Sequence, residues 1–284
     1  KRSEMYLLGL NLTYAFFVND TDKMISLSVK MNHLYEENEA LIEFSTIGYS
    51  ASLYNTANAY LKNNEFKKAL EITEKLESCK ANFGISNSLN LGARVFFYSV
   101  NLKLDIYLKT DDFEAAGYLV DDLTTDFNKF KTNIANVHLY EFYFLMSKYY
   151  FVIADYRMAL KYSNFVINDS SFKVRKDLLS VIRLLNLLIH FELKNDFTIE
   201  YLTKNTFNYF KSKKRLFKVE KELIRFISGR NKDTHDEMLK EDLMQLQAAM
   251  KSHKEDPNEL IPFSYFDFEY WAISKLTKKA LRDF

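Results

Sequence analysis

The chain has 284 residues, 48% hydrophobic and 16% aromatic, with 39 Lys+Arg against 38 Asp+Glu and a formal net charge of +1. Near-neutrality excludes a global field that would steer nucleic acid or an anionic membrane toward the protein, and no apolar run reaches the roughly 18 residues of a membrane-spanning helix. Six glycines and two prolines, Pro257 and Pro262, are too few to punctuate a sheet protein of this length, and a single cysteine, Cys79, excludes an internal disulfide.

An all-α chain in a reducing, cytoplasmic compartment is therefore expected. The start, Lys1-Arg2-Ser3-Glu4, has no initiator Met, and Met5 to Val18 reads as the middle of an apolar helix. The expectation is an excised or processed chain with helices upstream. Leu7 to Val18 and Met24 to Leu34, around Asn19-Asp20-Thr21-Asp22, read as a first, degenerate hairpin.

The next pair is the best formed. Leu53, Ala57 and Tyr60 fall on one helical stripe, Asn63-Asn64 supplies a turn, and Phe66, Ala69, Ile72 and Leu76 form the answering stripe. The same order returns with Val100, Leu104, Tyr107, Thr110-Asp111-Asp112, Phe113, Ala116, Leu119 and Leu123. It returns again with Tyr143, Ser147, Tyr150, Ala154-Asp155, Tyr156, Ala159, Tyr162 and Val166. A fourth unit is more worn: Leu184, Leu188, Phe191, Asn195-Asp196 and Phe197, with Glu200 where a small residue is expected. The opening aromatics Phe66, Phe113, Tyr156 and Phe197 lie 47, 43 and 41 residues apart, so each hairpin is longer than the roughly 34-residue minimum.

Beyond Phe210 the pattern changes. Leu216 to Ile227 and Glu237 to Met250 read as a further pair around Gly229 to Asp233, and Ser252 to Pro262 reads as a loop. Ser264-x-x-Asp267 reads as a capping box opening a last helix, Tyr265 to Leu281, with Phe268, Trp271, Ala272, Leu276 and Ala280 on one face.

The aromatic, turn, aromatic-x-x-small order of residues 50 to 168 resembles the tetratricopeptide repeat in a divergent, long-helix form. No Trp begins a first helix, no Gly fills the first small slot and no Pro ends a unit. The resemblance implies an all-α, right-handed α-solenoid of stacked antiparallel hairpins, a superhelix of about 12–13 helices with a C-terminal capping helix. Hairpins occupy about 1–38, 40–80, 87–130, 134–169 and 173–212, and 213–284 add a further pair and the cap on the same continuous solenoid.

The resemblance also implies that first helices line a concave groove and carry ligand contacts. Those positions hold Tyr54, Asn58 and Lys62, then Asn101, Asp105 and Lys109, then Glu141 and Lys148. The fourth first helix is apolar except for Arg183, Asn186, His190 and Lys194, a polar line that neighbouring helices, water or a ligand must satisfy. One subgroup of the family grips a C-terminal carboxylate with Lys and Arg. Here Asn58 fits one clamp position, but Tyr54, Leu102, Glu141 and Leu145 stand where the others belong, so a mixed-charge groove for an extended peptide or partner helix is expected instead.

No reaction centre is legible. His33, His138, His190, His235 and His253 form no ligand motif, with His138 and Glu141 at i, i+3 the nearest to half a metal site. His235-x-Glu237 lacks the two downstream cysteines of a zinc deaminase. Gly9, Gly48, Gly84, Gly92, Gly117 and Gly229 are scattered, so no phosphate loop or nucleophile elbow can be drawn. Asp121-Asp122 and Asp126 read as a solvated mid-helix face, and Phe142-Tyr143-Phe144 and Tyr149-Tyr150-Phe151 as core wedges. Lys214, Lys218, Lys221 and Arg225 follow one helical side after Lys211 and Lys213, a stripe that could meet phosphates but is interrupted by Glu220 and Glu222.

The expectation is a non-catalytic scaffold without cofactor or metal that binds a protein or peptide segment. The alternatives are a regulatory or sensor module of a larger signalling or transcription-regulating protein and, third, nucleic-acid binding through Lys211 to Arg225. The Asn-, Lys-, Phe- and Tyr-rich, alanine-poor usage points to an AT-rich bacterial genome.

Overall fold

A computed structural model describes residues 1–82, 89–169, 175–212, 217–229 and 236–283, and among them the chain is all-α with no strand. Two compact units divide at Phe142/Tyr143, inside one helix. The first contains α1 (Arg2–Phe17), α2 (Thr21–Glu36), α3 (Glu39–Phe44), α4 (Thr46–Lys62), α5 (Phe66–Asn82), α6 (Leu89–Lys109), α7 (Phe113–Asp122), α8 (Thr124–Phe130) and the start of α9 (Asn136–Val152). The second contains the rest of α9, then α10 (Tyr156–Ile167), α11 (Lys176–Glu192), α12 (Asp196–Ser212), α13 (Lys218–Ser228), α14 (Asp236–Lys254), α15 (Leu260–Phe263) and α16 (Phe268–Thr277), with a 3-10 turn at Leu281–Asp283.

Five reversals use one device. A helix ends, one residue takes left-handed backbone, and the next residue caps or adjoins the following helix. The left-handed residues are Asn19 (φ 54°), Asn64 (58°), Asp111 (56°), Ala154 (64°) and Lys194 (55°). Asp20, Glu65, Asp112 and Asn195 then send their N–H back to the carbonyls of Ala15, Tyr60, Tyr107 and His190 at 2.9–3.0 Å, satisfying acceptors that the ending helix leaves open. Asp20, Asp112 and Asp155 each accept the N–H three residues on, from Lys23, Ala115 and Met158, at 3.1 Å.

Asn and Asp tolerate the left-handed region; Ala154 has only a Cβ that opposes it. Replacing Asp155 by Ala is expected to cost about 1 kcal/mol. Ala154→Gly should be neutral or stabilising by up to about 1 kcal/mol, because relief of the left-handed penalty outweighs the added chain entropy. Denaturant unfolding of the two variants checks both signs.

Packing follows the small residues. Ala57, Ala69, Ala116 and Ala159 are fully buried, and Ser147 Oγ donates to the Ala159 carbonyl at 2.9 Å, which brings α9 and α10 close. Tyr60 and Tyr107 are half-buried against the first unit's core, while Tyr150 stacks on Tyr162 at 5.6 Å between centroids. Within the first unit Phe97 meets Phe142 edge-on at 5.7 Å and Phe127 stacks on Phe142 at 5.1 Å. From α1 to α7 and from α10 to α15 each helix packs on its successor, and α2 on α4, α4 on α6, α11 on α13 and α14 on α16 also meet.

Several expectations change. Phe197 is 87% exposed, and α12 buries Ile199, Thr203, Thr206 and Phe210. Its register is therefore one residue earlier than the aromatic mark indicates, with Ile199 in the small-residue slot. Glu200 is solvent-facing. Asp121 and Asp122 end α7 rather than lying mid-helix, since the chain breaks at Leu123 before α8. Sixteen helices are present among the described residues; the short α3, α8 and α15 were not foreseen, and thirteen of ten residues or more remain beside them.

At the C-terminal end Ser264 does not open a helix. It ends α15, with Oγ on the Ile261 carbonyl, and Asp267 caps α16 by accepting from Glu269 and Tyr270 N–H at 3.1 Å. Pro262 lies inside α15, where its missing N–H is one that a first turn leaves unbonded. Glu220, expected on the surface, is 1% exposed. Its carboxylate accepts the Phe217 N–H at 2.9 Å while Glu259 accepts the Val219 N–H at 3.2 Å, two carboxylates at the positive end of α13.

Trp271 is fully buried against Phe191 and Phe226, and its Nε1 donates to Glu192 Oε1 at 2.8 Å. Lys275 Nζ holds the other carboxylate oxygen at 2.7 Å. Trp271→Phe should cost about 1–3 kcal/mol, because it withdraws the indole donor from a largely buried carboxylate. Adding Glu192→Leu should recover part of that loss, which thermal unfolding followed by circular dichroism measures.

Candidate partner-binding site

Three long helices, α4, α6 and α9, bring Tyr54, Asn101 and Glu141 together inside the first unit. Tyr54 Oη donates to Glu141 Oε2 at 3.3 Å. Asn101 Nδ2 donates to the His138 carbonyl at 3.0 Å and reaches Glu141 Oε2 at 3.5 Å. The Tyr54 ring stacks on Tyr98 at 4.1 Å, His138 stands edge-on to Tyr98 at 4.7 Å, and Arg94 Nη1 donates to Tyr98 Oη at 3.2 Å.

This cluster is incompletely satisfied. Asn101 is 3% exposed, yet its Oδ1 has no hydrogen-bond partner, and His138 Nδ1 has none either, lying 3.8 Å from Glu141 Oε2. An unpaired buried acceptor costs roughly 1–3 kcal/mol, so a donor that enters here is favoured.

Beside Tyr54 on α4, Asn55 and Ala51 face a cavity of about 530 Å³ that Gly9, Thr13 and Phe16 of α1 also line. Gly48 at its wall is required, because a Cβ there would collide with the Tyr35 hydroxyl and Ser45 Oγ. Lys62 Nζ lies 5.3 Å from the Phe16 ring centroid. Asn58, one turn from Tyr54, is half-buried, and Asp105 pairs with Lys109 at 3.2 Å along α6.

The second unit treats its expected residues differently. Asn186 Nδ2 donates to Ser163 Oγ at 2.8 Å and approaches Asn164 Oδ1 at 3.4 Å. The Arg183 guanidinium lies 4.5 Å over the Tyr209 ring, and burial lowers its pKa from the ordinary value. His190 Nδ1 accepts from Asn195 Nδ2 at 3.0 Å, which places the ring proton on Nε2. Thus much of the polar line on α11 is taken up by α10, α12 and the following turn. Lys194 is the exposed left-handed turn residue, and Lys148 is half-buried on α9.

The basic stripe is likewise divided. Lys218 pairs with Asp256 at 3.0 Å, while Lys221 and Arg225 border a groove of about 880 Å³ between α12 and α13 that also carries Asp196 and Glu200. Lys213, Lys214, Arg215 and Leu216 lie outside the described residues, as do Gly84, His235 and the 230–233 part of the expected turn. Cys79 is buried, which pushes its thiol up to about 11. Among the described residues no three His, Cys, Asp or Glu side chains gather where a metal ion could be held, and no helix is long and apolar enough to cross a membrane.

Comparison with protein-family models, curated proteins and solved structures gives no match. The tetratricopeptide resemblance thus stands on the residues of this chain alone. Sequence reasoning missed Arg94 and Tyr98, although Arg94, Tyr98, Asn101 and Asp105 recur at i, i+4, i+7 and i+11 on α6. It met His138 only as half of a metal site.

Burial lowers the pKa of His190 from 6.5. The folded state therefore binds fewer protons than the unfolded state between that lowered value and pH 6.5, and stability should fall as pH drops through this window. His190→Asn, which cannot titrate, is expected to flatten that part of the stability profile in denaturant unfolding at pH 7.5, 6 and 5.

Proposed function

We propose that this chain is a non-catalytic interaction scaffold: a tetratricopeptide-like solenoid of stacked helical hairpins that binds an extended peptide or partner segment along its first helices. The single observation that carries this reading is the convergence of Tyr54, Asn101 and Glu141 from three successive first helices around an acceptor, Asn101 Oδ1, that the fold leaves without a donor. Packing of α4 on both α2 and α6 supports the stacked-hairpin arrangement.

In this reading the bound segment donates to the partly exposed Glu141 carboxylate, and an apolar side chain fills the cavity beside Phe16. Lys211 to Arg225 plays no part, because Lys218 is already paired and acids share the groove that Lys221 and Arg225 border. The lone buried thiol of Cys79 suits a reducing, cytoplasmic setting.

Selection of peptides from a random display library against the purified chain tests the proposal. Enriched peptides should lose at least about tenfold in affinity to Tyr54→Ala and to Glu141→Gln, by calorimetry, while both variants keep the parent circular dichroism spectrum. Failure to enrich any peptide, or equal binding by the two variants, rejects it.

A further inference from the structure

One helix carries a face that the fold does not cover. On α1, Leu12 and Ala15 are buried, and Met5, Leu8 and Phe16 pack on the first unit's core. On its opposite side Tyr6, Leu7, Leu10, Tyr14, Phe17 and the following Val18 are each between 50% and 85% exposed. At about 100° per residue these six span an arc of about 120°, and no charged residue falls between Met5 and Val18. A helix apolar all round is a buried helix.

The size of the face exceeds what monomers leave bare. With whole side chains of roughly 150–250 Å², it exposes about 700 Å². The largest apolar patch on an ordinary monomer is about 300–600 Å², whereas one side of a stable protein interface buries about 800 Å².

The pattern names the shape of its partner. Ser3, Leu7, Leu10, Tyr14 and Phe17 follow one another at spacings of 4, 3, 4 and 3, the seam of a two-helix coiled coil. We infer that α1 packs antiparallel against α1 of a second copy of this chain, across a two-fold axis at Leu10.

Antiparallel pairing at that centre opposes Ser3 to Phe17, small against large, sets Leu10 against itself and Tyr6 against Tyr14, and leaves Leu7 one residue out of step with Tyr14. A parallel pair would set Phe17 on Phe17 and Arg2 beside Arg2. The ends are complementary in the antiparallel sense: Lys1 and Arg2, the latter 4.0 Å over the Phe44 ring, outnumber Glu4 at the amino end, while Asp20 and Asp22 outnumber Lys23 after the carboxyl end. Asp20 is partly offset by Lys23 at 2.8 Å, but Asp22 is exposed and makes no ion pair among the described residues. The two helix dipoles also run in opposition. The contact is isologous, so it closes at two copies.

Sedimentation equilibrium of the full chain from about 1 to 100 µM tests this, with a dimer dissociating at about 10 µM or tighter expected. Leu10→Glu and Tyr14→Glu should each weaken it at least about tenfold. Both residues are largely exposed, so the circular dichroism spectrum should not change. Under mild oxidation Ser3→Cys mixed with Phe17→Cys should cross-link, and neither should cross-link alone, the native Cys79 being buried. A monomer throughout the range overturns the inference and assigns the face to a different protein segment. A dimer that both glutamate variants leave intact overturns it too, as does cross-linking of Ser3→Cys by itself.

Discussion

Two helices approach only as closely as the side chains between them allow, and in this protein that distance is set by small residues. Ala57, Ala69, Ala116 and Ala159 have no exposed surface, and Ser147 comes near enough to donate a hydrogen bond to the Ala159 backbone. Around them the rings of Tyr60, Phe66 and Tyr107 pack half-buried against the first unit's core. Close approach also demands a short connection. The left-handed residue followed by a capping or carbonyl-bonded residue provides that without leaving the last turn's carbonyls unpaired.

Polar groups buried between such helices fall into two kinds. Asn32 is engaged at both ends of its amide, donating to Thr56 Oγ1 at 2.8 Å and accepting from Ser52 Oγ at 2.6 Å. Asn186 and His190 are bonded to Ser163 and Asn195 in the same manner. These bonds fix the register of helix on helix, since a slip strands every member. Asn101 differs, because its amide donates while its Oδ1 accepts nothing. Ser99 Oγ and Arg183 Nε are also buried without a partner, so what sets Asn101 apart is its place beside Tyr54 and Glu141 from two other helices.

Most of the helical framework was legible because its signals are local. The small residue three positions after an opening aromatic, and the acidic residue before it, act within one turn of chain, so Phe66, Phe113 and Tyr156 marked their helices correctly. Phe197 misled for the same reason: an aromatic near a helix start resembles the mark, but burial of Ile199, Thr203 and Phe210 decides the register, and burial is not local. Glu220 was read as a surface charge. It is buried because two backbone N–H groups at the start of α13 need acceptors, a demand visible only once Glu259 arrives beside it.

By itself the sequence determined that the chain is helical, where most of its long helices begin and end, and which residues are small enough to lie between them. Periodicity, capping and turn chemistry act over a few residues, and the chain carries them wherever it goes. Only the tertiary structure decided which polar residues meet. Tyr54, Asn101 and Glu141 lie far apart in the chain and share no local rule, whereas Asn186 and His190, equally regular in spacing, are bonded by α10 and by the following turn. Spacing fixes the side of a helix on which a residue stands. What faces that side depends on the packing of elements remote in sequence.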